Sequence, residues 1–331
     1  MRGWFGLLLL LPLWLAPLRR GGAAGPTWPE LSTTKHQTGL SVALLPRRAT
    51  PTLSLCARYA TPRAPSKAHA NLLRARGGEL WSLDGDRGID VCLRLPASEL
   101  ALAVWLLPRL EPADLPRSPM AQLSSAVTAP QSGAPNAVAL VGDLDTDRAA
   151  TLLEASALAV RGAAETGPPR RPLAVDPHTW VAWDAPARGV AERAAIEVAL
   201  TGLARRLSKD GDLDVEIHAG SRLVALALRG RPRKELESRL ALGLQEGAAT
   251  KDASPLTRDT SRQVRTSLDD GAGAAHWLLD GMVERAEPRA SLRHLQWIES
   301  VTTKDVRAAL QRVLALDRAR WLAATQPQAT R

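Results

Sequence analysis

The chain has 331 residues, which is enough for two domains of ordinary size, each with its own core. Its net charge is +9, but the arginines are scattered and one Tyr and one Phe accompany the ten Trp, so nucleic-acid binding is not supported. The basic excess is better explained as a solvated surface, and an acidic partner surface is the alternative.

The first 24 residues have the layout of a secretory signal peptide. Arg2 precedes an apolar run from Trp4 to Leu18, and small residues follow as far as Ala24. The run is shorter than the roughly 20 residues that span a bilayer. No cysteine lies directly after it, which argues against a lipid anchor. We expect an exported protein, periplasmic or secreted, with no membrane span beyond this segment.

The region from residue 31 to residue 161 opens with alternating apolar patterns. Those over Leu40–Leu44 and Leu53–Tyr59 predict two half-buried strands that form a hairpin. A Gly-Gly pair at 77–78 ends a short helix, and Ile89–Leu95 alternates as a third strand. This region is expected to be a shortened N-terminal domain.

The same region closes with a helix, a strand and another helix. Ser98 is expected to cap the first helix, and the strand ends at Gly142. An acidic turn follows this strand. The apolar residues on one face of the last helix are Ala149, Leu152, Leu153, Ala157 and Val160.

The two cysteines, Cys56 and Cys92, lie on the polar-facing register of their predicted strands. If these strands are antiparallel neighbours, both sulfurs project from one face of the sheet. In an oxidising compartment a disulfide can then form, provided that the residues occupy a non-hydrogen-bonded pair. The sequence leaves the bonded and the free states open.

A Pro/Gly/Arg-rich segment at 162–177 has no periodicity and predicts a linker before a C-terminal domain at 178–325. That domain opens with a strand over Thr179–Trp183 and a helix. Its clearest feature is a hairpin, with strands over 213–219 and 223–228. Further helices are predicted over Lys234–Gln245, Ser261–Ser267, Ala272–Glu284 and Ser291–Ser300.

The C-terminal domain ends with a capped helix and a strand. Thr302 lies three residues before Asp305, the spacing of a capping box. The last strand is predicted over Ala319–Ala324. Both halves then run from strands through helices to a strand, which indicates two similar α+β domains, each a mainly antiparallel sheet with helices packed on it.

Several stretches carry a family resemblance. In the first half they are TGLSVALLP (38–46), GGELWSLDGDRGIDVCLRLPASELALAVWLL (77–107) and AVALVGDLDTDRAATLL (137–153), and in the second half LARRL (203–207) and SVTTKDVRAALQRVL (300–314). The chain from about residue 31 to residue 325 resembles the insulinase-like zinc metallopeptidases, which include pitrilysin and the mitochondrial processing peptidase. The resemblance implies two similar halves clamped around a peptide.

The residues that would carry catalysis in this family have no match in the chain. Active members have an inverted zinc motif, His-x-x-Glu-His, on a helix between the second strand and the Gly-Gly pair. Here that interval, TPRAPSKAHA (61–70), contains one histidine, His69, and no Glu. The interval between Leu110 and Asn136 is too short for the helix with the third ligand. The matching part of the second half, RLSKDGDLDVEIHAG (206–220), lacks the substrate-holding Tyr of active members.

Two groups of polar residues are candidate metal ligands elsewhere in the chain. The first, which projects from one face of a predicted strand, is Asp214, Glu216 and His218, although such a trio is more often a solvated face. The second is a calcium-like series of Asp143, Asp145, Asp147 and Glu154. Because Arg148 replaces the glycine of a calcium loop, we interpret Asp145 as a helix cap.

These patterns lead to one hypothesis and two alternatives. The hypothesis is an exported insulinase-like peptidase homologue that is not itself an enzyme, needs no cofactor, and acts as a structural or substrate-binding subunit. Its partner would be an active zinc metallopeptidase of the same family or a second copy of the chain. The alternatives are a zinc metalloendopeptidase with rearranged ligands and a stand-alone peptide-binding module.

Overall fold

The computed structural model describes residues 30–36, 39–48, 50–60, 63–85, 88–112, 135–156, 178–186, 189–219, 223–285 and 287–322. Within these ranges the chain forms an α+β fold, as predicted. The predicted signal peptide (1–24) and linker (162–177) lie outside the described residues. No helix in the described ranges is long and apolar enough to cross a bilayer.

Twelve strands and nine α-helices occur in these ranges. The strands are β1 (Ser32–Lys35), β2 (Ser41–Pro46), β3 (Thr52–Tyr59), β4 (Arg63–Ala64), β5 (Glu79–Gly85), β6 (Gly88–Pro96), β7 (Glu111–Pro112), β8 (Ala137–Gly142), β9 (Thr179–Asp184), β10 (Asp214–Ala219), β11 (Leu223–Arg229) and β12 (Arg320–Leu322). The helices are α1 (Lys67–Ala75), α2 (Leu100–Leu106), α3 (Thr146–Glu154), α4 (Val190–Leu207), α5 (Arg233–Ala248), α6 (Ser254–Asp269), α7 (Gly271–Arg285), α8 (Ala290–Ser300) and α9 (Thr303–Arg312).

The first sheet has six strands in the order β1-β2-β8-β3-β6-β5, and β2 and β8 are its one parallel pair. The predicted hairpin of β2 and β3 is therefore wrong, because β8 lies between them. All six residues of β8 are buried. A strand that is apolar on both faces is stable at the centre of a sheet, where it has a neighbour on each side.

Two predictions about the first half need further correction. Residues 79–85 were not predicted as a strand, yet they form β5 at the edge of the sheet. Ser98 does not cap α2, because Ala97–Glu99 form a 3₁₀ turn that leads into the helix. The helix therefore begins at Leu100, and Glu99 occupies its N-cap position without a side-chain cap hydrogen bond. The Gly-Gly stop is confirmed, since α1 ends at Ala75 and Gly77 has a φ of 71°.

Helices cover both faces of the first sheet. On one face, large aliphatic side chains of the strands pack in one cluster with buried residues of α1, α2 and α3, such as Leu73, Leu106 and Leu153. On the other face lie Cys56 and Cys92, and α7 packs across it against β3 and β8. The prediction that this register faces solvent is therefore wrong. Its side chains are mainly small, which lets a helix from the second half approach the sheet closely.

The second sheet has four antiparallel strands in the order β10-β11-β9-β12, and the predicted β10–β11 hairpin is confirmed. One face packs into the main core around α4, which has buried residues on all sides and contacts four other helices. The opposite face carries a small cluster consisting of Trp180, Ala182, Leu223, Ala225 and Ala227.

Polar contacts also join the two halves. The Arg47 guanidinium donates hydrogen bonds to the carbonyl oxygens of Leu268 and Asp269, just before α7. Arg94 of β6 forms an ion pair with Asp270 at 2.9 Å. These contacts hold the start of α7 at one end of the strands of the first sheet, so the position of the helix is determined at its N-terminus as well as by its apolar face.

Candidate functional site

The segment that would hold the zinc helix of an active insulinase-like peptidase is short. β3 ends at Tyr59, and the chain reaches α1 through the two-residue strand β4. The Ser66 side chain caps α1 by accepting a hydrogen bond from the backbone of His69. A catalytic zinc site needs three protein ligands, and this segment supplies one histidine. The residues present therefore do not fit the zinc ion of the family.

His69 makes a packing contact in this segment. Its imidazole meets the Trp105 ring edge-on, with the ring centroids 5.3 Å apart. The Arg109 guanidinium lies 4.1 Å from the centroid of the same Trp105 ring, a cation–π distance. Trp105 is 38% exposed, so His69, Trp105 and Arg109 form a small aromatic and basic surface on α1 and the end of α2.

A second group of polar side chains lies on β10, the edge strand of the second sheet. The sequence predicts that Asp214, Glu216 and His218 share one face of this strand, and the structure brings His178 to two of them. The coordinating atoms of His178, Asp214 and Glu216 lie within 4.8 Å of one another. His218 lies alongside, with its Nε2 atom 3.6 Å from Glu216 Oε2 and its ring 4.6 Å from that of Trp180.

Sequence reasoning missed His178 because it lies 36 positions before Asp214. The register of the sheet explains how the two meet. Thr179 of β9 and Val215 of β10 both lie opposite Leu228 of the intervening strand β11. His178 and Asp214, each one position earlier, therefore flank β11 at one level. Strand alternation could reveal this only once the order of the strands was known.

The calcium-like series at the start of α3 is a helix cap, as interpreted from the sequence. The Asp145 carboxylate accepts hydrogen bonds from the backbone N–H groups of Asp147 and Arg148, at 2.9 and 3.0 Å. These are among the N–H groups that have no partner within the helix itself. The acidic turn thus stabilises α3.

One buried charged network joins the two halves. The Arg58 guanidinium binds both carboxylate oxygens of Asp90, at 2.6 and 2.9 Å, and His276 Nδ1 of α7 lies 2.7 Å from Asp90 Oδ2. Burial raises the pKa of Asp90, but the hydrogen bonds and charges of Arg58 and His276 outweigh it and hold the pKa below its usual value. Asp90 is therefore ionised and serves as an anchor for α7.

A second network lies within the helical core of the second half. His294 of α8 is fully buried, and its Nε2 atom lies 2.6 Å from the Glu197 carboxylate of α4. Arg193 approaches the other carboxylate oxygen at 3.1 Å. Burial raises the pKa of Glu197, but His294 and Arg193 outweigh it and lower the pKa to about 2. The buried carboxylate thus joins α4 to α8.

An open groove of about 340 Å³ lies between α4, α8 and α9. Trp297, 46% exposed, forms an apolar wall, and Glu192, Asp305 and Arg312 supply charges of both signs. The groove therefore combines one exposed aromatic side chain with charges of both signs.

No protein-family model and no curated protein matches the chain at the level of sequence. Solved structures do match its fold. A protease from Helicobacter pylori is similar with a TM-score of 0.64 and 10% identity, over 89% of this chain and 99% of that one. An inactive domain of an M16 peptidase from Pseudomonas fluorescens is similar with a TM-score of 0.61 and 14% identity, over 90% and 99%.

A longer protein shares the same fold over part of its length. The periplasmic protease PqqL from Escherichia coli matches with a TM-score of 0.54 and 11% identity, over 88% of this chain but 45% of PqqL. At such low identities the likeness concerns the fold alone, and it agrees with the resemblance noted in the sequence. The chain has the fold of the M16 peptidases, the insulinase-like group.

Proposed function

We propose that the chain is an exported, noncatalytic relative of the M16 peptidases that acts as a structural or substrate-binding subunit beside an active zinc metallopeptidase. One observation carries the proposal. The segment between Tyr59 and Gly77, which would hold the zinc helix, contains a single histidine, and that histidine packs against Trp105. The fold is kept while the residues that would activate water are replaced.

Two further observations support this proposal. The fold matches an inactive M16 domain as well as a protease, so an inactive domain can have this fold. The apolar N-terminal segment and the paired cysteines Cys56 and Cys92 are typical of an exported protein. A fold relative that works in the periplasm, PqqL, is consistent with the same location.

A stand-alone peptide-binding role is the second candidate, and the groove beside Trp297 favours it. On this hypothesis the groove holds extended peptides without any partner subunit. Trp297→Ala would weaken binding of a peptide library in isothermal titration, whereas Trp105→Ala, which changes an exposed Trp elsewhere, would not. Equal binding by both variants would contradict the role of the groove.

Two measurements test the main proposal. Affinity purification of the chain from its native envelope, followed by mass spectrometry, is expected to recover a relative with His-x-x-Glu-His, and recovery of the chain alone would contradict the subunit role. The purified chain is expected to show no chelator-sensitive peptide hydrolysis. Hydrolysis that is lost in either His69→Ala or Glu216→Gln would show that the protein is an enzyme, whereas activity unchanged in both indicates a contaminant.

A further inference from the structure

We propose that His178, Asp214, Glu216 and His218 form a binding site for one divalent transition-metal ion, best suited to Zn²⁺, on the edge strand of the second sheet. This site is unrelated to the zinc helix of the M16 peptidases, which would lie in the first half. It requires no catalysis, so it does not depend on the proposed subunit role.

The backbone places these residues together. Asp214, Glu216 and His218 occupy alternate positions of β10 and project from one face, because side chains alternate along a strand. Glu216 of β10 and Trp180 of β9 both lie opposite Ala227 of β11, so they are on the same face of the sheet. His178 is two positions before Trp180 and is therefore on this face as well. The four side chains therefore converge above β11 at the edge of the sheet.

The spacing of the ligand atoms suits a small cation. The atoms of His178, Asp214 and Glu216 lie within 4.8 Å of one another, and His218 Nε2 is 3.6 Å from Glu216 Oε2. Ligands at about 2.0–2.2 Å from a tetrahedral Zn²⁺ are roughly 3.4 Å apart. Because Asp214 and Glu216 are exposed, small rotations of their side chains close the remaining gap without moving the backbone.

The donor set determines which ion is preferred. Imidazole nitrogen together with carboxylate oxygen is typical of zinc and its transition-metal neighbours, whereas calcium and magnesium prefer oxygen ligands alone. The floor of the site is apolar, because Ala225 and Ala227 are fully buried there. Among the described residues, Arg229 lies opposite Asp214 on this face, and the Trp180 ring lies beside His218.

The alternative for these residues is a solvated polar face without a ligand. The two carboxylates, Asp214 and Glu216, lie on one face of an edge strand, and water can solvate both. The two explanations differ in one respect, since only a metal site requires the imidazole of His178 and the carboxylate of Glu216 to act on the same ligand.

The test is zinc binding by the full chain without a polyhistidine tag, measured by isothermal titration and by metal analysis after dialysis. We expect one Zn²⁺ per chain and a rise in melting temperature on its addition, because the ion binds only the folded state. His178→Ala and Glu216→Gln are each expected to weaken binding at least about 10-fold, since even the loss of an outer-shell partner costs roughly 10- to 100-fold.

Matched controls separate this site from other histidines and carboxylates. His69→Ala and Asp210→Asn, which lie outside the group, are expected to leave the affinity unchanged. Each variant is first compared with the parent chain for its melting temperature without metal, so that loss of binding is not misread as loss of folding. Substoichiometric zinc in the parent chain, or an unchanged affinity in His178→Ala or Glu216→Gln, would overturn the proposal.

The outcome is separate from that of the proposed function. Stoichiometric zinc without peptide hydrolysis supports the site and agrees with a noncatalytic subunit. Loss of zinc binding in His178→Ala, together with recovery of an active partner from the envelope, would also uphold both proposals. Absence of zinc would remove the site and leave the subunit proposal to its own test.

Discussion

At the scale of single residues, Cys56 and Cys92 show how strand register brings together distant parts of the chain. They lie directly opposite each other on β3 and β6, with Cα atoms 4.1 Å apart, and the structure pairs them in a disulfide. This Cα distance is closer to the roughly 4.5 Å of a non-hydrogen-bonded antiparallel pair than to the roughly 5.5 Å of a hydrogen-bonded one, and the former is the condition required by the sequence hypothesis. Whether the purified protein contains the bond stays a prediction.

The double variant Cys56→Ala, Cys92→Ala is expected to lower the free energy of unfolding by about 2–4 kcal/mol, because a crosslink between residues 36 positions apart restricts the unfolded chain. Urea denaturation of the exported protein measures this loss, and the parent chain under reducing conditions is the control. Thiol titration of the unfolded, unreduced protein should find no free thiol. Two free thiols in that titration would contradict the prediction.

The Glu197 network makes a prediction about pH. Its pKa of about 2 lies below the roughly 4.3 of an unfolded Glu, so ionised Glu197 stabilises the fold above about pH 4.3, and this contribution is lost as the pH falls towards 2. Glu197→Gln leaves the buried Arg193 guanidinium without its counter-charge and removes the carboxylate partner of His294, at a cost of about 3–5 kcal/mol near neutral pH.

The difference in stability between the parent chain and Glu197→Gln should therefore shrink as the pH is lowered from 7 to 3. Urea denaturation at several pH values measures it, and Glu237→Gln, an exposed Glu of α5, is the control with little effect at any pH. A difference that stays constant over this range would show that folding does not lower the pKa of Glu197.

At the scale of secondary-structure elements, the features that depend on residues close together in the sequence were predicted correctly. The capping box of α9 is confirmed, since the Thr302 side chain accepts from the Asp305 backbone and the Asp305 carboxylate accepts from the Thr302 backbone. The β10–β11 hairpin is confirmed because its alternation and its turn lie close together in the sequence. Both features depend on residues within a few positions of each other.

Thr302→Ala is expected to lower the free energy of unfolding by about 1 kcal/mol, because it leaves an N–H group of the first turn of α9 without its side-chain acceptor. Chemical denaturation measures the change. Thr266→Ala, an exposed threonine within α6, is the matched control and should be close to neutral. An equal loss in the two variants would show that the cap contributes nothing beyond helix propensity.

The position of an element in the fold was not predicted where it depends on partners that are distant in the sequence. The local pattern of β8 indicates a strand, but it does not say that the strand inserts between β2 and β3. The face of β3 that carries Cys56 was predicted to face solvent, because its small side chains alternate with the large ones of the other face. The pattern does not show that α7, more than 200 positions later, covers this face. His178 was missed in the candidate site for the same reason.

At the scale of the whole molecule, α7 makes one continuous core from the two halves. Cys56 and Ala139 of the first sheet belong to the same buried cluster as Leu278 and Leu279 of α7 and Val181 of the second sheet. The Asp90–His276 contact adds a buried polar tie at the same interface. Removing α7 from the first sheet would expose this cluster and leave the Arg58–Asp90 pair without His276. We therefore infer that the two halves fold and unfold as one unit.

Leu278→Ala is expected to destabilise both halves equally, by about 2–5 kcal/mol, because it removes a fully buried side chain from the shared core. Native-state hydrogen exchange measures each half separately, through the amides of β3 in the first sheet and β9 in the second. If the core is one cooperative unit, both sets of amides exchange through the same global opening and lose the same protection.

Leu242→Ala, an exposed leucine of α5, should leave both unchanged. Protection lost in β9 but kept in β3 would mean that the first half stays folded without its contact to α7, and that the two halves are independent domains held together by the chain alone.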